Sequence, residues 1–256
     1  MLPALFISHG SPMLALDPGA SEAPLKRLAH ELPRPNAILV VSAHWETPDL
    51  RVTASPQPDT WHDFYGFPPE LYAVQYPAKG SPELAQRVVD LLAEDGLPAS
   101  LDAERPVDHG AWVPLSLMYP AADIPVVQLS LPSRLGAAMQ QRVGRALRAL
   151  REEGILLIGS GSITHNLGEL DWHAGPEVIT PWAKVFRDWM VARLQADDEA
   201  ALLDYRQQAP HAVRNHPRDE HLLPLYFARG AGGPAMTVEH AGFTLGALGM
   251  DIYRFG

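Results

Sequence analysis

The chain has 256 residues, 46% hydrophobic and 20% charged, which allows a sizeable core and sets it apart from disordered compositions. Twenty Lys and Arg against thirty Asp and Glu give a formal charge of −10, which opposes nonspecific attraction to nucleic acid or to anionic membranes. With no cysteine, disulfides, thiolate metal sites, iron–sulfur clusters and thiol nucleophiles are excluded, so any metal must sit on imidazole, carboxylate or carbonyl groups.

The amino terminus, MLPALFISHGSPMLAL, lacks a basic stretch and is interrupted by His9, Gly10, Ser11 and Pro12, so neither a signal peptide nor an anchor is expected. No apolar run approaches the roughly 18 residues of a membrane helix, and the default location is the cytoplasm. Short runs at Ala4–Ile7, Ala37–Ser42, Val126–Leu131 and Ile155–Ile158 are apolar without polar alternation, the pattern of strands covered on both faces. The stretch Pro48 to Pro69 reads as an irregular loop carrying aromatics. Ser81-Pro82-Glu83 supplies a cap and a first-turn proline for a helix that Gly96 closes. A second helix is predicted from about Leu135 to Glu153, stopped by Gly154. A third starts at Thr180-Pro181, with Trp182, Val185, Phe186, Trp189 and Met190 on one face. Asp197, Asp198 and Glu199 then open a further helix at its favourable end.

Strands alternating with helices imply an α/β fold: one domain over residues 1–256, with a central, mainly parallel sheet flanked by helices. In such sheets ligands gather beyond the carboxyl ends of the strands. His9 follows the first strand, His44 the second, and His165 the fourth, so three strand ends each deliver an imidazole to one edge. Any one alone would be an ordinary hydrogen-bonded loop histidine; the joint pattern argues for a site. His109 and His221 add two more, each beside a carboxylate, Asp108 or Glu220, that could act as ligand or as acceptor for a neighbouring ring. Imidazole with carboxylate suits Fe(II) or Zn(II) rather than Mg or Ca. His30, His173, His211, His216 and His240 lack strand-end placement and read as surface or structural, with His216 a possible partner of His221.

Six strings in order, SHGSP at Ser8–Pro12, SAHWE at Ser42–Glu46, HDFYGFP at His62–Pro68, DHGAWVPL at Asp108–Leu115, GSGSITHN at Gly159–Asn166 and EHLLPL at Glu220–Leu225, resemble the 4,5-DOPA extradiol dioxygenase family, within the type III extradiol ring-cleaving dioxygenases. The resemblance implies a non-haem iron enzyme that opens a catechol ring beside its two hydroxyls and inserts both atoms of O2, giving a muconic semialdehyde-type product. It implies metal ligands at His9, His44 and His221, an acid–base role for His165, and a second catalytic histidine at His109. Glu220 directly before His221 leaves the third ligand open between the two, and His165 could itself ligate. Fe(II) would serve activity, and Zn(II) could occupy the same imidazoles without its redox chemistry.

Trp45, His62, Phe64, Tyr65 and Trp112 are candidate walls for a flat aromatic substrate. The expected partners are a small catechol and O2, with no nucleic acid and no membrane; oligomeric state is not encoded. The alternative enzyme is a zinc-dependent hydrolase on the same histidines; a metal-storing module is the non-enzymatic option. A serine hydrolase lacks its G-x-S-x-G elbow, and Thr164 replaces the third glycine of a dinucleotide loop.

Overall fold

The computed structural model describes residues 1–175 and 177–256. In chain order the strands are β1 (Ala4–Ser8), β2 (Ala37–Glu46), β3 (Leu50–Thr53), β4 (Ala99–Asp102), β5 (Val126–Leu131), β6 (Ile155–Gly161), β7 (Met236–His240), β8 (Phe243–Thr244), β9 (Leu248–Gly249) and β10 (Ile252–Phe255). Eight of them form one sheet in the order β4-β3-β5-β2-β6-β1-β10-β7, and β8 with β9 make a separate small ribbon. The centre, β5-β2-β6-β1, is parallel throughout, while β10 and β7 add an antiparallel edge.

The unbroken apolar runs are explained by burial on both faces. Leu39 and Val41 of β2 join Leu157 of β6 and Phe6 of β1 in one core, against the helices Pro82–Glu94, Gly136–Ala146 and Leu223–Gly232. The alternate residues Ile38, Val40, Ile158, Leu5 and Ile7 face a second core, closed by Glu22–Glu31 and His109–Met118. The helix Pro82–Glu94 begins as expected, with the Ser81 side chain accepting from Leu84 N–H, and Gly96 follows it at φ +69°.

Several expectations are corrected. The single helix from Leu135 to Glu153 is instead a short turn Ser133–Leu135, the helix Gly136–Ala146 and a second turn Arg148–Arg151. The break lets Arg151 donate to the carbonyls of Leu2, Ala231 and Gly232 while almost wholly buried. In the helix Pro181–Gln195, Val185 lies outside the buried stripe and is 47% exposed. Asp198 caps its short helix Glu199–Leu203 by accepting from Ala201 N–H. The stretch Pro48 to Pro69 contains β3, whose alternating Leu50 and Val52 pack into the first core. Among the described residues no helix is long and apolar enough to cross a membrane.

Candidate metal centre and active site

Five histidines converge at the carboxyl edge of the parallel strands. His9 leaves β1, and its backbone N–H donates to the carbonyl of Gly161 at the end of β6 (2.9 Å). His44 lies within β2, which runs past the predicted Ser42 to Glu46. His221 sits on the turn before Leu223–Gly232, where its carbonyl accepts from Ser162 N–H at 2.8 Å. That turn can lie flush on β6 because positions 159 and 161 are glycines: a Cβ on Gly161 would collide with the His221 carbonyl, and one on Gly159 with that of Pro224. His165 follows β6, its N–H donating to Asn215 O (3.1 Å). His109 starts the helix His109–Met118.

One ring nitrogen from each of His9, His44 and His221 lies within 4.8 Å of the others. His9 Nε2 and His44 Nε2 are 3.0 Å apart. Two nitrogens bound at about 2.1 Å to one ion, at a right angle to each other, would be about 3.0 Å apart. The donor set therefore fits a divalent ion that prefers imidazole.

Two of the three rings, those of His9 and His221, are steered by a polar partner that leaves one nitrogen free. His9 Nδ1 meets Ser160 Oγ at 3.0 Å, and because Ser160 donates its own proton to Gly110 O, it must accept from His9. That assigns the Nδ1–H tautomer and leaves Nε2 as a lone pair. Glu220 Oε1 accepts from His221 Nδ1 at 3.0 Å, so Glu220 reaches the ring from behind rather than joining the cluster of three imidazoles. His44 Nδ1 faces Asp63 Oδ2 at 3.7 Å. The His44 main chain is held by Arg105 Nη2 on its carbonyl (3.0 Å) and by Ser42 Oγ on its N–H (3.2 Å).

Electrostatics favour neutral rings. Burial, reinforced by the neighbouring imidazoles His44, His109 and His165, holds His9 well below its ordinary value. Burial first, then His165, His44 and His9, does the same for His221. Burial and His109 bring His44 down to about 3 against the opposing pull of Asp63. His165 stacks on His221 with ring centroids 3.5 Å apart and planes at 8°, and burial, then His109, pulls it down to about 4. The near-neutral titration that general acid–base work on its own would call for is thus shifted, and His165 presents a neutral, proton-accepting ring.

Sequence reading missed Asp63. Its Oδ1 accepts from both His109 Nδ1 (2.8 Å) and His109 N–H (3.0 Å), although it lies 46 residues away. Burial pushes the Asp63 carboxyl up, but these bonds outweigh it and leave it below its usual range. Asp108, considered as a partner for neighbouring imidazoles, faces Ser42 Oγ (2.6 Å), Gln128 Nε2 (2.8 Å) and Arg105 Nη2 (3.3 Å) instead. His216 likewise turns to Ile163 O (3.0 Å), bracing the turn that carries His165 rather than meeting His221.

A cavity of about 250 Å³ opens over the imidazoles, lined by His9, Gly10, Ser11, Pro12, His44, Phe64, Phe67, His109, His165, Leu167, Leu170, Trp172, His221, Leu245 and Leu248. Of the five expected wall residues only Phe64 is among these. Trp112 is fully buried beneath Phe64, donating its indole N–H to Trp61 O (2.9 Å). Trp45 is buried under the Arg105 guanidinium. His62 is tied to Val74 O (2.9 Å), and Tyr65 points away at 92% exposure. The wall comes instead from the segment after His165 and from the β8–β9 ribbon, joined by hydrogen bonds from Asp171 N–H to Leu245 O and from Thr180 N–H to Gly246 O.

A family model described as the catalytic LigB subunit of aromatic ring-opening dioxygenase matches residues 3–256. The chain is 45% identical to the 4,5-DOPA dioxygenase extradiol of Escherichia coli K12, over 100% of this chain and 95% of the relative. It is 43% identical to that of Beta vulgaris, over 98% and 95%. A crystal structure of an uncharacterized Escherichia coli K12 protein matches with TM-score 0.85 and 40% identity, covering both chains in full. These relatives set aside the hydrolase and metal-storage alternatives. The chain belongs to the aromatic ring-opening dioxygenase family and is a ring-cleaving dioxygenase of the extradiol type.

Proposed function

We propose that the enzyme opens a catechol ring outside its two hydroxyls with O2, to a muconic semialdehyde-type product, using Fe(II) held by His9, His44 and His221. The observation that carries this reading is the convergence of three neutral imidazoles, those of His9 and His221 with their tautomers fixed, at the foot of a cavity sized for a flat ring. Held there, Fe(II) would supply Lewis acidity toward a catechol and the redox chemistry that O2 activation needs, whereas zinc in the same imidazoles would supply only the first. The names of the relatives make DOPA the first catechol to test. Both cores share one sheet that ends at Phe255, which supports treating residues 1–256 as one catalytic domain.

The protein's own groups handle the protons. A ring nitrogen of His165, neutral at physiological pH, takes the proton that a catechol hydroxyl gives up. His109 commits Nδ1–H to Asp63, which leaves Nε2 as its free nitrogen. A carboxylate at that position stabilises the cation that forms when Nε2 takes a proton, so His109 can store a proton and return it as a general acid. Phe64, Phe67 and the leucines of the wall exclude water from the reacting ring.

Reconstitution with Fe(II) under anaerobic conditions, followed by oxygen-electrode measurement with a small catechol panel, tests the proposal. Catechol-dependent uptake with a yellow ring-opened product is the expected result. No uptake from protein shown by metal analysis to hold Fe(II) would refute it.

A further inference from the structure

His44 differs from the other two ligands in how it is held. His9 and His221 each turn Nδ1 to a side-chain acceptor, whereas Asp63 Oδ2 stands 3.7 Å from His44 Nδ1, beyond hydrogen-bond reach. Nor does the sheet hold its backbone: the register of β2 with β6 ends at Ser42, and that with β5 breaks between Val41 and Glu46. A strand that leaves its ladder must find other partners for its N–H and carbonyl. At His44 these are side chains, Ser42 Oγ for the N–H (3.2 Å) and Arg105 Nη2 for the carbonyl (3.0 Å).

Arg105 is itself held from several sides. Its Cζ lies 4.3 Å from the ring centroid of Trp61 and 5.2 Å from that of Trp45, so the guanidinium packs on both indoles. Its backbone N–H donates to Asp102 Oδ1 (2.9 Å). Nη2 also donates to Asp108 Oδ2 (3.3 Å), and the other oxygen of this wholly buried carboxylate accepts from Ser42 Oγ (2.6 Å). Asp108 thereby joins the two contacts of His44 into one closed clamp. Arg105 is not among the described residues that line the cavity, so its reach to the reaction runs through His44. We propose that Arg105 is a positioning residue for the metal centre, setting where the His44 ring stands by gripping its carbonyl within the Arg105–Asp108–Ser42 clamp. The inference rests on His44 being a metal ligand and adds what aims it.

The test is chelator competition with Co(II), whose visible absorbance reports ligand geometry, alongside the Tm of the metal-free protein. Arg105→Lys separates positioning from mere neutralisation of Asp108: its ammonium keeps a cation near the carboxylate but ends about one bond short of Nη2 and lacks the flat group that packs on the indoles. It should hold Tm near wild type, yet weaken Co(II) binding by about 10–100-fold and alter the spectrum. Arg105→Ala should lower Tm as well, because Asp108 is left buried without its cation. Methylguanidinium at about tens of millimolar, far below the denaturing range, should restore part of the Co(II) affinity of Arg105→Ala, where ammonium does not. Trp61→Leu, at a site 38% exposed, should weaken Co(II) binding about two- to fivefold. Wild-type affinity and spectrum in Arg105→Lys would overturn the inference and leave the metal site standing. If Arg105→Lys loses as much Tm as Arg105→Ala, the rescue decides, and its absence overturns the inference. Failure of the wild-type protein to bind Co(II), or undiminished binding by His44→Ala, would instead remove the ligand assignment and this inference with it.

Discussion

The floor and the wall of the cavity are built by different rules. The floor histidines sit on or against the ends of parallel strands, His9, His109 and His221 almost wholly buried, each ring facing a specific polar partner. The wall is carried by the irregular segment after β6 and by a two-stranded ribbon, with Leu167 57% and Trp172 64% exposed. Groups that must be held to a fraction of an ångström belong on rigid elements, whereas a surface that only needs to be apolar and roughly shaped can sit on loops. The chemistry is thereby anchored in the part of the molecule least free to change, and selectivity in the part most free to change.

Substitutions should separate the two regions by the size and kind of their effect. The largest effect is expected at the ligands: His221→Ala should abolish retention of stoichiometric iron. Glu220→Gln keeps an acceptor oxygen for Nδ1 and should weaken metal affinity by no more than about 10–100-fold. Metal analysis after dialysis distinguishes the two, and the reverse order would move the third ligand to Glu220. Next come the proton-handling rings: His165→Ala and His109→Ala should retain iron but lose about 10²–10⁴-fold in kcat. A near-wild-type rate in either removes that ring from the proton path.

A smaller loss, about 10–100-fold in kcat, is expected from Asp63→Asn, by analogy with other groups that orient a working imidazole. The amide oxygen can still accept both the backbone N–H and Nδ1–H of His109, so what the variant removes is the negative charge beside the ring. Nitrogen-15 spectra of the histidine rings should therefore keep His109 in the Nδ1–H tautomer while the rate falls, a combination that simple loss of packing does not produce. The smallest effect belongs to the wall: Trp172→Ala should raise KM several-fold, with stability changed by no more than about 0.5 kcal/mol, as for other exposed positions. If that variant lost stability as a core substitution does, the division between floor and wall would fail.

Much of the floor was legible in the sequence because it obeys regular geometry. Val126–Leu131 is a strand with the predicted bounds, and His9, His44 and His165 fall near strand ends where the α/β layout puts ligands. The wall was not legible. Phe64 was found, but Trp45 and Trp112 are aromatic for reasons of packing, and composition does not distinguish a ring in a core from one facing a substrate. Leu167, Leu170, Leu245 and Leu248 carry no motif and become a wall only when two distant segments meet. Asp63 lay within the HDFYGFP string, yet its bond to His109 spans 46 residues and is a fact of tertiary structure alone. The break at Leu147 went unseen because an apolar stripe at helical spacing continues through both the helix and the tighter turn that follows it.

The two bare positions on β6 have a consequence of their own. At residue 161 the absence of a side chain works as a seat, and even one methyl group would act as a wedge, prising the residue-221 turn off its strand while both cores stay intact. Gly161→Ala should thus yield a folded protein with a two-pronged, low-affinity ion site: a route by which a single small change could convert a catalyst into an inert shell of the same shape.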